Sequence, residues 1–310
     1  MKTRISLSLF LVFVFSGAIF AQTADQFFAA GNGHYKQKNY TLAIASYTSA
    51  LRLMPSSYAT WFNRGQAYYF LGNYSAAVSD YSEAIRLNAR YTEAHFQRGL
   101  AKNKLKDHVG AVSDYTTAIG LAPTDATIWY NRGIANSDRG LDAAAIADYT
   151  EAIRLSPNYS KPYHNRGAIY FRQKRNAEAL VDLEKVLSLD PANAEAWNGR
   201  ALVYSRSADY DRALSDNSQA LRLQPSNAKY HYDRGSIYSR KKDIDLAIAS
   251  LNQAISLDPN YAAPYLLRGA IRFDLKQYSL ARPDLEKVLK LSPGHELATK
   301  ILARLNALGQ

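Results

Sequence analysis

The sequence predicts an all-α protein, an α-solenoid of tandem helix-turn-helix repeats, and three observations carry that prediction. The first is an internal period: a 34-residue frame begun at Ala24 fits eight times, without insertion or deletion, and ends at His295. The second is the recurrence of small residues within the frame. Position 8 is Gly31, Gly65, Gly99, Gly133, Gly167, Gly235 and Gly269, with Ala201 in the sixth copy, and position 20 is Ala in every copy, from Ala43 to Ala281. The third is punctuation: position 30 is always Leu, and position 32 is Pro in seven copies, with Ala89 the exception. Small residues let two helices approach closely, and Pro ends the second helix because it lacks an N–H and disfavours helix at the residue before it. Units of this period bury their faces on one another rather than around one core.

Taken in order, the chain opens with Met1–Ala21, which has the layout of a secretory signal peptide. Lys2 and Arg4 precede an apolar run, Ile5–Phe15, and small residues follow, with cleavage expected after Ala18 or Ala21. An N-terminal membrane anchor is the alternative, although the run is short of the ~20 residues a span needs. The chain is therefore expected to be exported, to a periplasm or beyond the cell. Thr23 followed by Gln26 is a capping-box signature that starts the first helix. Each copy from residue 24 to 295 then reads as helix, turn and helix, as at Gly72-Asn73 in the second copy. Nothing between Asp25 and Pro293 marks a domain boundary. Asn217 stands where other copies have Tyr or Leu, which implies a polar contact or local looseness. Pro283 falls inside a second helix, tolerated if it lies near the start and kinking if deeper. Residues 296–310 form the tail, in which Leu297, Ile301, Leu305 and Leu308 recur at helical spacing and predict a capping helix.

Position 7 is Arg in seven copies and position 23 is Asp in six, which predicts a ladder of ion pairs between the two helices of a repeat. The pairs are Arg64 with Asp80, Arg98 with Asp114, Arg132 with Asp148, Arg166 with Asp182, Arg200 with Asp216, and Arg268 with Asp284. Arg234 faces Ser250 instead and is left over. A net charge of +11 by itself suggests nucleic acid, but this ladder occupies much of the arginine, and no nucleic-acid partner is expected. With no Cys, disulfides and thiolate metal sites are excluded. The six His are scattered, and His95 and His231 occupy the aromatic position 4. No HExxH, GxSxG or phosphate-cradling glycine loop is present, so neither enzymatic activity, a metal nor a cofactor is expected.

The frame resembles the tetratricopeptide repeat family: an aromatic at 4, Gly at 8, an aromatic at 11, Ala at 20, an aromatic at 24, Ala at 27 and Pro at 32. The resemblance implies a right-handed superhelix whose first helices line a concave groove for peptides, with positions 2, 5, 6, 9, 12 and 13 facing it. Position 5 then gives the groove an aromatic column, Phe28, Phe62, Phe96 and Tyr130, followed by His164 and later Tyr232. Tyr35, Tyr69 and Phe70 lie beside it. Aromatics offer large contact area with few rotors to freeze, which suits recognition, but packing between neighbouring first helices is an equal alternative. Position 6 supplies amides, Asn63, Gln97, Asn131 and Asn165, which can donate and accept along an extended backbone. Arg172, Arg206 and Arg240 make the second half more basic. The expected function is a non-catalytic interaction scaffold of the cell envelope or secreted space that binds a partner protein segment. The alternatives are a self-assembling structural protein and a binder of an acidic envelope polymer or glycan.

Overall fold

The computed structural model describes residues 22–309. The leader reading falls outside the described residues, and no described helix is long and apolar enough to cross a membrane. The described residues form seventeen helices joined by short turns. They fall into two compact units that divide after Leu121, a place the sequence does not mark. The first holds α1 (Ala24–Lys36), α2 (Tyr40–Leu53), α3 (Tyr58–Phe70), α4 (Tyr74–Leu87), α5 (Thr92–Lys104) and α6 (His108–Leu121). The second holds α7 (Ala126–Asp138), α8 (Asp142–Leu155), α9 (Ser160–Arg172), α10 (Asn176–Leu189), α11 (Ala194–Arg206), α12 (Tyr210–Leu223), α13 (Ala228–Lys241), α14 (Ile244–Leu257), α15 (Ala262–Asp274), α16 (Tyr278–Leu291) and α17 (Glu296–Ala307). Each first helix packs on its own second helix, and each second helix packs on the next first helix of its unit. First helices also touch in series, α1 with α3 and α3 with α5, then α9 with α11, α11 with α13 and α13 with α15.

The turns show how the period is enforced. Frame position 15 has positive φ in every copy, and it is Gly only at Gly72 and Gly140. Lys38, Lys106, Lys174, Ala208, Lys242 and Lys276 adopt the left-handed region without being glycine. This residue ends the first helix, and the N–H after it returns to a carbonyl of the last turn, as Asn39 does to His34 at 2.9 Å. The second helix ends at an extended residue before Pro. Asn88, before Ala89, adopts the same conformation (φ −142°, ψ 90°), so the second copy keeps the turn without Pro.

Packing inside each pair turns on positions 8 and 24. A Cβ on Gly31, Gly99 or Gly133 would stand 2.5–2.6 Å from the ring of Tyr47, Tyr115 or Tyr149, so Gly is required wherever Tyr fills the gap. The sixth copy alone has Ala, Ala201, and it alone has Asn at position 24. Asn217 is fully buried there, and its amide donates to Asn198 Oδ1 and to the Tyr230 carbonyl, both at 3.0 Å. Of the two outcomes expected for Asn217, the polar contact is the one present. Position 4 reaches back to the carbonyl at position 32: Trp61 donates to Pro55 (2.8 Å), Trp129 to Pro123 (2.9 Å) and Trp197 to Pro191 (2.9 Å). His95 and His231 approach Ala89 and Pro225 in the same way, which accounts for both histidines.

Pro283 is the sixth residue of α16, so only its own bond to the preceding turn is missing, and the helix continues to Leu291. In α17 the buried stripe is Ala298, Ile301, Leu302 and Leu305, packed on Ala281, Leu285 and Val288 of α16. Leu297 and Leu308, expected on that stripe, are about half exposed (48% and 53%). In the first turn of α17 it is Ala298, not Leu297, that packs on α16.

Candidate functional site

The ladder positions lie between the helices of each pair. Arg64 meets Asp80 at 2.7 Å, Arg98 Asp114 at 2.6 Å, Arg132 Asp148 at 2.6 Å, Arg166 Asp182 at 2.7 Å, Arg200 Asp216 at 2.7 Å, and Arg268 Asp284 at 2.5 Å. Most are two-pronged, through Nε and Nη2, the geometry the planar guanidinium favours. Arg64 and Arg166 also reach the preceding repeat, donating to Thr48 (3.0 Å) and Thr150 (2.8 Å). Each guanidinium therefore joins three helices. In the three pairs whose position 11 is not Tyr, its side chain joins too: Lys102 meets Asp114 (2.9 Å), Asn136 Asp148 (2.9 Å) and Arg272 Asp284 (2.8 Å). Burial pushes the Asp80 and Asp182 carboxyls up, against the pull of Arg64 and Arg166. Among the described residues Arg234 meets Ser250 Oγ and His231 Nδ1, each at 3.3 Å. These arginines are engaged internally and are not a binding stripe.

In the first unit the aromatic column packs inward. Phe28 lies 6.0 Å from Tyr47, Phe62 lies 5.6 Å from Tyr81 and 4.9 Å from Tyr91, and Phe96 lies 5.9 Å from Tyr115, between ring centroids. Phe62 is only 8% exposed. It is corrected from a binding residue to a core residue, because Tyr91 at position 34 closes over it. The accessible aromatics stand one turn further on. Tyr40 stacks on Phe70 at 5.3 Å, and Tyr35 meets both at 5.5 and 5.9 Å. Tyr69 extends the row from Phe70 (5.9 Å) to Tyr74 (5.2 Å). Phe70 is 55% exposed. Tyr40 and Tyr74 were not among the expected groove residues. They begin second helices at position 17, and the signal was there in the aromatic at that position of the first two copies. Beside this row, Asn32 Oδ1 accepts from Asn63 Nδ2 (3.0 Å) and the Tyr47 hydroxyl (2.8 Å). Asn32, Tyr35, Lys36, Asn63 and Gln66 line a hollow floored by Tyr47 and Phe62. Gln97 is half-buried on the next first helix.

In the second unit Tyr130 packs between Tyr149 (5.9 Å) and Tyr159 (5.0 Å), and Tyr232 packs on Tyr261 (5.4 Å). The expected run of amides does not form there. Asn131 turns back to the Thr127 carbonyl of its own helix (2.8 Å), whereas Asn165 lies 3.4 Å from the Tyr130 hydroxyl. His164 faces Glu195 at 3.6 Å, and Arg172 pairs with Asp142 at 2.8 Å. Arg206 lies over the Phe171 ring (3.5 Å) and donates to the Phe171 carbonyl. Arg240 is exposed and meets no carboxylate among the described residues.

Comparison with known proteins bears on this arrangement. Tetratricopeptide repeat sequence models match residues 58–91, 199–262 and 262–295, and a TPR repeat model matches 31–72, 137–174 and 169–207. The chain belongs to the tetratricopeptide repeat family. Such repeats are, in general, non-catalytic scaffolds that bind proteins and peptides. Among solved structures, it is similar to a tetratricopeptide repeat protein from Parabacteroides merdae, at 19% identity and a TM-score of 0.66 over 81% of this chain and 99% of that one. It is also similar to the C-terminal part of a TPR repeat-containing protein from Cytophaga hutchinsonii, at 22% identity and a TM-score of 0.64 over 76% and 97%. YrrB, described as a TPR protein with an unusual peptide-binding site, aligns at 20% identity and a TM-score of 0.52 over 59% and 95%. At these identities the likeness shows the fold alone. No curated protein sequence matches the chain.

Proposed function

We propose that this protein is an exported, non-catalytic scaffold that binds an extended segment of a partner protein on the first helices of its first unit. The observation that carries this reading is the row of half-buried Tyr35, Tyr40, Tyr69 and Tyr74 around exposed Phe70, beside the amides of Asn32 and Asn63. A half-exposed Phe stacked on Tyr leaves apolar ring surface in water, and aromatics dominate binding energy where they anchor a partner. The amides supply donors and acceptors for a peptide backbone, so sequence-tolerant contact accompanies the apolar one. Export rests on the leader-like residues 1–21, and a tagged chain should fractionate outside the cytoplasm with its start at residue 19 or 22.

The test is a random-peptide phage library panned on the full chain. Retained peptides should lose about tenfold or more in affinity when Phe70 and Tyr69 are replaced by Ala, a hot-spot loss, with the circular dichroism unchanged. Unchanged affinity would refute this face as the site. Phe62→Ala is unsuitable, because truncating a buried ring costs about 3–5 kcal/mol of stability by itself.

A further inference from the structure

The fifth and sixth repeats depart from the frame at three places that fall together. Position 24 of the fifth copy is Leu183, where the first four copies place Tyr. Position 6 of the sixth copy is Gly199, where the four preceding copies have Asn or Gln. Position 9 of the fifth copy is Ala168, where Asn32 and Gln66 meet the Tyr hydroxyl in the first two copies. Three side chains that elsewhere fill the space between successive first helices are thus shortened at one spot. The result is a cavity of about 230 Å³ with an apolar floor of Gly167, Ala168, Phe171, Leu183 and Leu202. Small-molecule sites run from about 300 Å³, so this one has room for a single large side chain.

Its rim is electrostatically lopsided. On one side Lys229 is paired with Asp233 (3.1 Å), and His164 faces Glu195 (3.6 Å). On the other stands Arg172, paired with Asp142 (2.8 Å), and just outside the lining Phe171 carries Arg206 over its ring at 3.5 Å, held there by the bond to the Phe171 carbonyl. Arg240, at the same frame position in the next repeat, is its neighbour. Neither meets a carboxylate among the described residues, whereas Arg172, Arg175 and Arg212 all do. Burial, and then the repulsion of Arg240, hold the Arg206 guanidinium below its ordinary pKa. A held guanidinium with a second like charge near it is a poor arrangement for the free protein, and an anion relieves it.

We propose that this pocket, within the second unit, takes one large apolar side chain of a partner segment, and that acidic residues flanking that side chain lie on Arg206 and Arg240. The inference rests on the peptide-binding reading above and gives it a specificity: an acidic segment with an aromatic or long aliphatic anchor.

The experiment uses the same random-peptide library on the full chain. Retained peptides should share an aromatic, Leu or Met residue closely flanked by Asp or Glu. Leu183→Tyr restores the residue of the first four repeats and fills the hole, and it should weaken a retained peptide about tenfold or more. Arg206→Gln with Arg240→Gln should weaken it similarly and flatten its dependence on salt, and exposed Arg240 alone carries no folding risk. Retained peptides that lack acidic residues, or that bind both variants as tightly as the parent, would overturn the pocket and leave the wider face standing. No retained peptide at all would remove both readings. Dimerisation abolished by Leu183→Tyr, without peptide binding, would overturn the proposal and assign the pocket to a second copy of the chain.

Discussion

Replacing Asp182 by Ala tests whether the ion pairs specify geometry or supply stability. The Asp182 side chain is 2% exposed and that of Arg166 15%. The substitution removes the acceptor of two bonds, Nε to Oδ2 at 2.9 Å and Nη2 to Oδ1 at 2.7 Å. It leaves Arg166 with Thr150 Oγ1 at 2.8 Å and two rings, Tyr163 and Tyr170, each 5.8 Å away. Two buried donors without acceptors cost about 1–3 kcal/mol each. Breaking a buried pair on one side costs about 3–5 kcal/mol. Because water reaches the partly exposed guanidinium, the lower end applies, about 3 kcal/mol. Burial pushes the Asp182 carboxyl up, so the charged carboxylate gains little from its site. The double replacement Arg166→Met with Asp182→Leu should therefore fall within about 1 kcal/mol of the parent. Urea denaturation by circular dichroism, with amide exchange read in α9 and α10, measures both, since repeat arrays lose structure locally. A single variant costing under about 1 kcal/mol, or a double variant as costly as the single, would refute the reasoning.

Two further outcomes follow from the packing. Gly99→Ala places a Cβ 2.6 Å from the Tyr115 ring and should cost about 1–3 kcal/mol, as overpacking does, whereas Gly167→Ala, whose nearest neighbour is the Asp182 Cβ at 3.2 Å, should cost less by the same urea measurement. Tyr47, Tyr91, Tyr159 and Tyr261 are each pushed up to about 12 by burial, from 10 in the unfolded chain. The unfolded state then releases protons first, so stability is fully present below about pH 10 and is lost as pH rises toward 12, by ~1.4 kcal/mol per pH unit for each tyrosine. Tyrosinate absorbance should appear late and together with loss of helix. Absorbance that rises fully near pH 10, with helicity intact, would contradict this.

The fold was largely legible because its determinants are local and repeated. Gly at 8, Ala at 20 and Pro at 32 each act within one helix pair, so eight copies restate one short rule. The Arg and Asp positions were readable for the same reason, since a partner 16 residues away lies on the facing helix. Six left-handed residues that are not Gly were invisible, because the turn's hydrogen bonds, not the residue type, impose their φ. The α17 stripe was misjudged at Leu297 and Leu308, since spacing gives a helix its apolar face without saying which edge its neighbour covers.

The binding face divides along the same line. Sequence by itself determined which positions lie on the first helices, and hence the aromatic and basic character of their outer row. Only tertiary structure decided which of those side chains reach solvent. Phe62 is closed over by Tyr91, whereas Phe70 is left open beside Tyr40 and Tyr35. The cavity beside Phe171 exists because three shortened side chains on α9, α10 and α11 meet at one point. Their distances along the chain give no hint of that meeting, because exposure and void volume are set by residues brought together from different helices.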